Sequence, residues 1–495
     1  MKEGGVEVTF KGRTVFTFVI VTMIASVITT LTIADQLIKP NEPSASTVAA
    51  AAVDEASSSH KLSNNELSKL NAVVELIETK YYEKVERNEL LDGAISGMMQ
   101  SLNDPYSVYM EKDVAQHFSE SIEGSFSGIG AEVTMENGKV TVVAPIKGSP
   151  AERSGLLAKD VLISINGENL DGLNLQEAVA KIRGPKGTKA KIVVQRGGVL
   201  EPIQLVLIRD DIDVETVYAT LNDDGTGVIE IRQFSMNTAE RFRTELESLE
   251  QRGMSGLVID VRNNPGGVLP VVVEISQLML DKGSTIVQVE DRNGKREKTL
   301  ADGSGKKKSY PIAVLTNKGS ASASEILAGA LQESAGAKVI GERSFGKGTV
   351  QVSYNNALGD GSLVKMTIAK WLTPKGNWIN ETGIQPDNEV APPDLYTVAR
   401  LTLQNTLKLD SNSEQVRSAQ IMLHGLGYEP QREDGYFGAE TRDAVKQFQE
   451  AQSLPITGEI DKQTAELLEK AVIKWIQDEQ NDTQLSAALK AVSRK

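Results

Sequence analysis

Between residues 62 and 104 the apolar positions recur at helical spacing. Leu67, Leu70, Val73, Val74 and Ile77 fall on one face, and Leu90, Leu91, Ile95, Met98 and Met99 give a second stripe. Asp104-Pro105-Tyr106 breaks the pattern. Stripes of this kind serve core packing or a helical arm that pairs with a second copy. From Ser125 the period shortens. Ser127-Gly128-Ile129-Gly130-Ala131 precedes an alternating strand, and residues 140–143 read as another. Residues 150–156 read as a short helical turn, 160–167 as a strand running into a tight turn, 175–182 as a helix and 191–195 as a strand. From residue 209 to 393 strands and helices alternate. Residues 228–231, 257–261 and 312–315 are apolar enough for buried strands; 239–249, 271–280 and 324–333 read as helices. That order predicts a layered α/β core. Residues 413–474 turn helical again. There Gly435…Thr441 recurs as Gly458…Thr464, which reads as turns that cap helices. Ala419, Leu423, Leu426, Phe437, Ala444 and Phe448 are the expected core of this segment.

Residues 14–34 carry no charge, and a helix of that length spans about 30 Å, the thickness of a bilayer core. Lys2, Lys11 and Arg13 precede it; Asp35, Glu42, Asp54 and Glu55 follow, with Lys39 opposing. The positive-inside rule keeps the short N-terminus in the cytoplasm and puts everything else outside. The competing reading is a cleaved signal peptide, but the stretch is long for one and no A-x-A site follows. Residues 39–59, rich in Pro, Ser and Ala, read as a flexible tether. A chain of 495 residues is too long for one typical domain. Its net charge of −14 argues against nucleic acid and against a basic surface tracking anionic lipid. The absence of cysteine excludes disulfides and thiolate metal sites.

Candidate chemistry gathers in two segments, Gly319-Ser320-Ala321-Ser322-Ala323-Ser324-Glu325 and Phe345-Gly346-Lys347-Gly348-Thr349-Val350-Gln351. A serine hydroxyl attacks poorly unless a base takes its proton. The chain has three histidines: His60 in the tether, His117 in the N-terminal helical region and His424 in the C-terminal module. A Ser-His-Asp triad would need His117, and nothing around it suits one. A lysine serves instead when burial keeps it neutral. Lys347 lies between two glycines that permit close approach, with Phe345 beside it to exclude water. Gln351 can orient the amine without adding charge, whereas a carboxylate there would keep it protonated. Ser322 falls where a strand gives way to a helix, so the Ala323 amide can face a developing oxyanion. A second donor can come from Gly266 or Gly267 in Asn263-Asn264-Pro265-Gly266-Gly267. Ser344-Phe345-Gly346-Lys347 also matches the S-x-x-K of penicillin-binding proteins, which makes a cell-wall acyltransferase the rival enzyme. Against it, K-T-G is absent, and one S-x-N, Ser63-Asn64-Asn65, lies far upstream.

The element order over residues 123–208 resembles a PDZ domain. Gly128, Ile129 and Gly130 would then form a nest of amides for a peptide's terminal carboxylate, beside an edge strand to which the peptide adds. Arg183 opens the connection from the PDZ helix to its last strand and either contacts the neighbouring domain or is solvated. The segments GSASASE, SFGKGTVQ and RNNPGG resemble those of the carboxyl-terminal processing peptidases, or tail-specific proteases. Asp104-Pro105-Tyr106-Ser107 and Gly383-Ile384-Gln385-Pro386-Asp387 fit as well. The resemblance covers residues 62–393. It implies a crotonase-like serine protease fold with Ser322, Lys347 and Gln351 as catalytic residues, and no metal or cofactor. It also implies cleavage of proteins engaged by apolar C-terminal tails, under a PDZ domain that admits substrate or blocks the site. Residues 413–474 resemble a small three-helix peptidoglycan-binding domain.

The expected protein is therefore multidomain α/β. A cytoplasmic N-terminus (1–13), transmembrane anchor (14–34), linker (35–60) and helical region (61–122) lead to the PDZ domain (123–208) and protease core (209–395). A connector (396–412), the peptidoglycan-binding-like module (413–474) and a C-terminal tail (475–495) follow. The expected partners are protein tails, peptidoglycan, the membrane and, through the helical arm, a second copy of the chain. The rival outside enzymology is a wall-tethered PDZ scaffold.

Overall fold

The computed structural model describes residues 61–493, apart from 147, 198, 200 and 356. The uncharged segment 14–34, the tether with His60, and residues 494 and 495 lie outside the described residues. Among the described residues no helix is long and apolar enough to cross a membrane. The chain divides into two compact units, residues 1–93 and 94–495. In the first, α1 (Asn64–Lys80) opens on a capping box, with the Glu66 carboxylate 2.7 Å from the Ser63 amide. No residue of α1 is buried, and Leu67, Leu70 and Val73 stand exposed. Next comes α2 (Arg87–Gln100), which ends before Asp104 as its sequence predicts.

In the second unit, β1 (Val108–Met110) and α3 (Lys112–Glu123) lead to β2 (Ser125–Gly128). Then come β3 (Ala131–Glu136), β4 (Lys139–Pro145), α4 (Pro150–Arg153), β5 (Val161–Ile165), β6 (Glu168–Asn169), α5 (Leu175–Ile182), β7 (Lys189–Gln195) and β8 (Ile203–Ile208). They form a PDZ-type sheet in the order β3-β4-β5-β7-β8, with β6 on β5, over a core that includes Val142, Leu162, Ile192 and Leu207. The strand expected to be last, β7, has β8 beyond it. Periodicity hid β8 because its outward residues, Val206 and Ile208, are apolar too.

The layered α/β core runs through β9 (Asp210–Asp213), β10 (Val217–Leu221), β11 (Thr226–Ile231), α6 (Thr238–Gln251), β12 (Gly256–Asp260), α7 (Leu269–Gln277), β13 (Thr285–Asp291), β14 (Arg296–Leu300), β15 (Ile312–Thr316) and α8 (Ala323–Ala330). A π-turn over Leu331–Ala335 and strands β16 (Lys338–Gly341), β17 (Thr349–Tyr354), β18 (Leu363–Leu372) and β19 (Asn388–Glu389) complete it. One sheet has the order β10-β11-β12-β15-β16-β19, parallel except for β10. A second, antiparallel sheet joins β1, β18, β13 and β14, with β17 on β18. The parallel strands read as continuous apolar runs because both faces are covered. On one face Leu257, Ile259, Val314 and Val339 share a core with Phe242, Val272 and Leu327 of α6, α7 and α8.

The other face is closed from the far end of the chain. Helices α9 (Glu414–Gly425), α10 (Ala439–Ala451) and α11 (Lys462–Ile476) form a separate module around Ala419, Leu423, Phe437, Ala444 and Phe448, with Leu426 only partly buried. After it the chain returns as α12 (Thr483–Val492). Leu485, Ala488 and Val492 pack on Val258, Ala313, Leu315 and Ile340. The expected tail, 475–495, is thus partly a core helix. Ten residues carry too little periodicity to declare it, and its stripe is meaningful only against the sheet face it covers.

Candidate active site

Ser322 sits at the N-cap of α8 with φ 56° and ψ −112°, a conformation L residues rarely adopt and one that costs about 1–3 kcal/mol. The strain is held locally. The Ser322 amide donates to Glu325 Oε2 (2.8 Å), and its carbonyl accepts from the Glu325 and Ile326 amides (2.9 Å each). Ala323 is the first helical residue, so its amide has no partner within the helix. The loop after β12 comes directly against this turn. A Cβ on Gly266 would lie 2.8 Å from Ser322 Cβ and 2.9 Å from the Ala323 nitrogen, at a φ of +101°. Only glycine fits. The Gly266 amide is engaged, donating to Asn264 Oδ1 at 2.8 Å. Phe234 pairs with this loop through Gly266 O and Val268 N, and among the described residues no group accepts from the Gly267 amide. Of the three amides read from the sequence, those of Gly267 and Ala323 are available to an oxyanion.

Lys347 lies on the segment before β17. Its Nζ is 4.8 Å from the Tyr106 ring centroid, within cation–π range. Burial pushes the ammonium pKa down, and the nearby Lys365 adds to this; Asp104 and Glu325 oppose the shift without reversing it. The expected water shield, Phe345, is 55% exposed, and Tyr106 stands over the lysine instead. The backbone is pinned on both sides: Trp371 Nε1 donates to Lys347 O (2.7 Å) and Trp378 Nε1 to Gly348 O (2.9 Å). Among the described residues no hydrogen bond joins Lys347 Nζ to Ser322 Oγ. Catalytic hydrogen bonds are often long before substrate arrives.

Gln351 is on β17, but its amide nitrogen donates to Thr349 Oγ1 (2.9 Å) and Thr367 Oγ1 (3.0 Å), not to the lysine. Thr367 ties it to the turn that carries Tyr106. The Thr367 amide donates to Ser107 Oγ (2.9 Å), which donates to Asp104 Oδ2 (2.6 Å). Burial pushes the Asp104 carboxyl up, but hydrogen bonds from Ser107, Thr367 and the Tyr106 amide, with the Lys347 charge, leave it below its ordinary value. Asp104-Pro105-Tyr106-Ser107 is therefore a docked turn that sets an aromatic face over the lysine.

Glu325 is the residue that sequence reasoning passed over. It is fully buried. Oε1 accepts from Ser344 Oγ and the Gly346 amide (2.6 Å each), and Oε2 accepts from the Ser322 and Lys347 amides (2.8 and 2.9 Å). One carboxylate thus ties the serine's backbone to the lysine's. Burial pushes its pKa up against these four donors. A signal was present: Ser322 and Glu325 have capping-box spacing. Ser344 is spent in the same network, buried, with its hydroxyl donating to Glu325 and accepting from the Ile384 amide at 2.6 Å. That removes the S-x-x-K serine as a nucleophile.

In the PDZ-type portion Ile129 is buried, and Gly130 has a φ of +75° that leaves no room for a side chain, since a Cβ would meet Ser149 Cβ at 2.3 Å. No described residue accepts a hydrogen bond from the Ile129 or Gly130 amide, and β3 is an edge strand with β4 as its one neighbour. Arg183 reaches α3: its guanidinium donates to Glu120 (3.0 Å), lies 3.1 Å from His117 Nδ1 and stacks on Phe126 at 4.9 Å. His117 is accordingly engaged away from Ser322. His424 pairs with Glu433, which pushes the imidazole pKa up.

Residues 225–390 match the family described as Peptidase family S41, and residues 26–114 match the Activating protease CtpB N-terminal domain. Residues 141–196 match a PDZ domain and residues 412–468 a putative peptidoglycan binding domain. The carboxy-terminal processing protease CtpB of Bacillus subtilis is 47% identical over 429 residues, covering 86% of this chain and 89% of the relative. The carboxy-terminal processing protease CtpA of the same organism is 42% identical over 432 residues, covering 87% and 91%. A probable CtpA-like serine protease of Staphylococcus saprophyticus is 35% identical over 430 residues, covering 87% and 86%. With its PDZ domain, protease core and helical peptidoglycan-binding-type module, this chain belongs to peptidase family S41 and is a carboxy-terminal processing serine protease.

Proposed function

We propose that the protease works through Ser322, Lys347 and Gln351, and that it acts on protein tails outside a bacterial cell. The observation that carries the site assignment is the shared Glu325 clamp, which holds a strained serine and a buried lysine on one carboxylate. Ser322 Oγ attacks the scissile carbonyl while Lys347 Nζ, turning from Tyr106, takes its proton. The negative oxygen is met by the Gly267 and Ala323 amides, the latter at a helix N-terminus. Lys347 returns the proton to the leaving amine, and water then resolves the acyl-enzyme. Gln351, fixed by Thr349 and Thr367, orients the amine without adding charge.

The PDZ portion takes the substrate's C-terminal carboxylate at Gly128, Ile129 and Gly130, and the tail extends along β3. The two free amides and the open edge of β3 support this. The layered parallel core supports the crotonase-like reading. The charge pattern around residues 14–34 supports a single-pass anchor with the catalytic part outside. The module over 413–474 then meets peptidoglycan. The exposed Leu67, Leu70 and Val73 of α1 suit pairing with a second copy.

A loosely folded protein with an apolar C-terminal tail tests the site. Cleavage is expected to vanish in Ser322→Ala and Lys347→Ala and to persist in Ser344→Ala wherever that variant is folded. Cleavage that survives Ser322→Ala sinks the assignment. For the anchor, N-terminal sequencing of the mature protein is expected to read through residues 14–34; a chain starting just after Ala34 would mean a cleaved signal.

A further inference from the structure

We propose that the last helix of the chain belongs to the active-site scaffold: Asp482 and Gln484 are positioning residues that, through Arg262, hold the Gly266-Gly267 loop against Ser322. This rests on the reading of Ser322 as nucleophile and of the Gly267 amide as an oxyanion donor. The loop needs holding. Asn263, Gly266 and Gly267 all have positive φ, at 55°, 101° and 150°, and such conformations persist only where the surroundings over-determine them. The loop is tied to the core along its length: Asn264 Nδ2 donates to Ile231 O (2.7 Å), Asn264 O accepts from Ser324 Oγ (2.8 Å) and Phe234 pairs beside Gly267.

Its entry from β12 is Arg262. That guanidinium lies between two carboxylates. It meets Asp260 from Nε at 3.0 Å and Nη2 at 2.7 Å. It meets Asp482 bidentately, from Nη1 at 3.0 Å and Nη2 at 2.7 Å, and Nη1 also donates to Gln484 Oε1 at 3.1 Å. Asp260 ends β12 and holds the arginine from within the sheet, whereas the other side of the guanidinium faces groups from the far end of the chain. Asp482 and Gln484 supply that second side. Both are buried; Asp482 caps α12 by accepting the Leu485 amide (2.9 Å), and Gln484 Nε2 is tied to Val390 O (2.8 Å). The other end of the helix is as closely seated, since a Cβ on Gly256 would meet Val492 O at 2.4 Å. The bidentate fork adds direction as well as attraction, and both partners are mostly screened from water. Along the chain the three-helix module therefore sits between two stretches of the protease core rather than beyond it, and the helix that braces Arg262 comes only after that module.

The test uses the full chain with a tailed protein substrate. Asp482→Asn keeps an oxygen to cap α12 but removes the charge and one of the oxygens that face Arg262. Displacing one oxyanion donor slightly lowers kcat, here by about tenfold or more, with KM within about twofold. Asp482→Glu recovers most of the rate. Gln484→Met lowers kcat in the same direction by less, and decides the matter should Asp482→Asn fail to fold. Leu485→Ala is the control: it weakens the same helix on the sheet, lowering the unfolding midpoint while kcat stays near wild type in the cold. An unchanged kcat in Asp482→Asn, or a loss that Leu485→Ala reproduces at an equal fall in midpoint, overturns the proposal. Ser322→Ala separates the two readings. If it stays active the site assignment fails; if it is dead while Asp482→Asn is normal, only the positioning role fails.

Discussion

Lys347→Arg is expected to abolish cleavage, by at least about a thousandfold in kcat/KM, while the protein stays folded. Arginine keeps the positive charge and the stem but cannot lose its proton at any working pH, so it cannot serve as a base. The wild-type profile carries the matching signature. Only the neutral amine accepts the Ser322 proton, so kcat/KM rises with pH through the lysine pKa and then levels. Burial and Lys365 place that rise below the ordinary lysine range. Two variants move it in opposite directions. Lys365→Met removes a like charge, lets Lys347 hold its proton longer and shifts the rise to higher pH. Asp104→Asn removes an attracting anion and shifts it to lower pH. Initial rates across a pH series check all three. A rise that ignores both substitutions would mean another group is the base.

Glu325→Gln is expected to damage stability and rate together. The carboxylate accepts from four donors and donates nothing. A glutamine has one oxygen, so in a site closed to water its NH2 group faces either the Ser322 and Lys347 amides or the Gly346 amide and the Ser344 hydroxyl, of which only the hydroxyl can turn to accept. Leaving buried donors opposed in this way costs about 3 kcal/mol or more. The same change frees the Ser322 turn and the Lys347 segment from each other, so kcat falls by about a hundredfold even where the variant is folded. Urea unfolding gives the first quantity and cold kinetics the second. Wild-type stability in Glu325→Gln would mean that the clamp contributes nothing.

The candidate chemistry of the site could be read from the sequence because it depends on residue types within short segments. Ser322 with its small neighbours, Lys347 between glycines, and the glycine pair at 266 and 267 each carry their requirement locally. The PDZ-type order was legible for the same reason: turns, caps and two-residue alternation are set by neighbours a few positions apart. Where the signal was muted, as in β8 with apolar residues on both faces, the reading stopped one strand short.

The partners of those residues were another matter. Tyr106 rather than Phe345 covers the lysine, because the turn carrying it is docked through Ser107 and Thr367, a contact spanning 260 positions. Gln351 is held by two threonines that no spacing rule connects to it as a pair. Glu325 is a capping-box glutamate by sequence, and a clamp only because Ser344, Gly346 and Lys347 fold onto it. Residues 475–495 read as a tail, and Arg262 meets Asp482 across 220 positions. A ten-residue helix has almost no preference of its own for a place to stand. The apolar sheet face and the buried arginine supply that place. Periodicity and side-chain chemistry therefore put forward a serine and a lysine as the candidate nucleophile and base, while long-range burial chose what holds those residues.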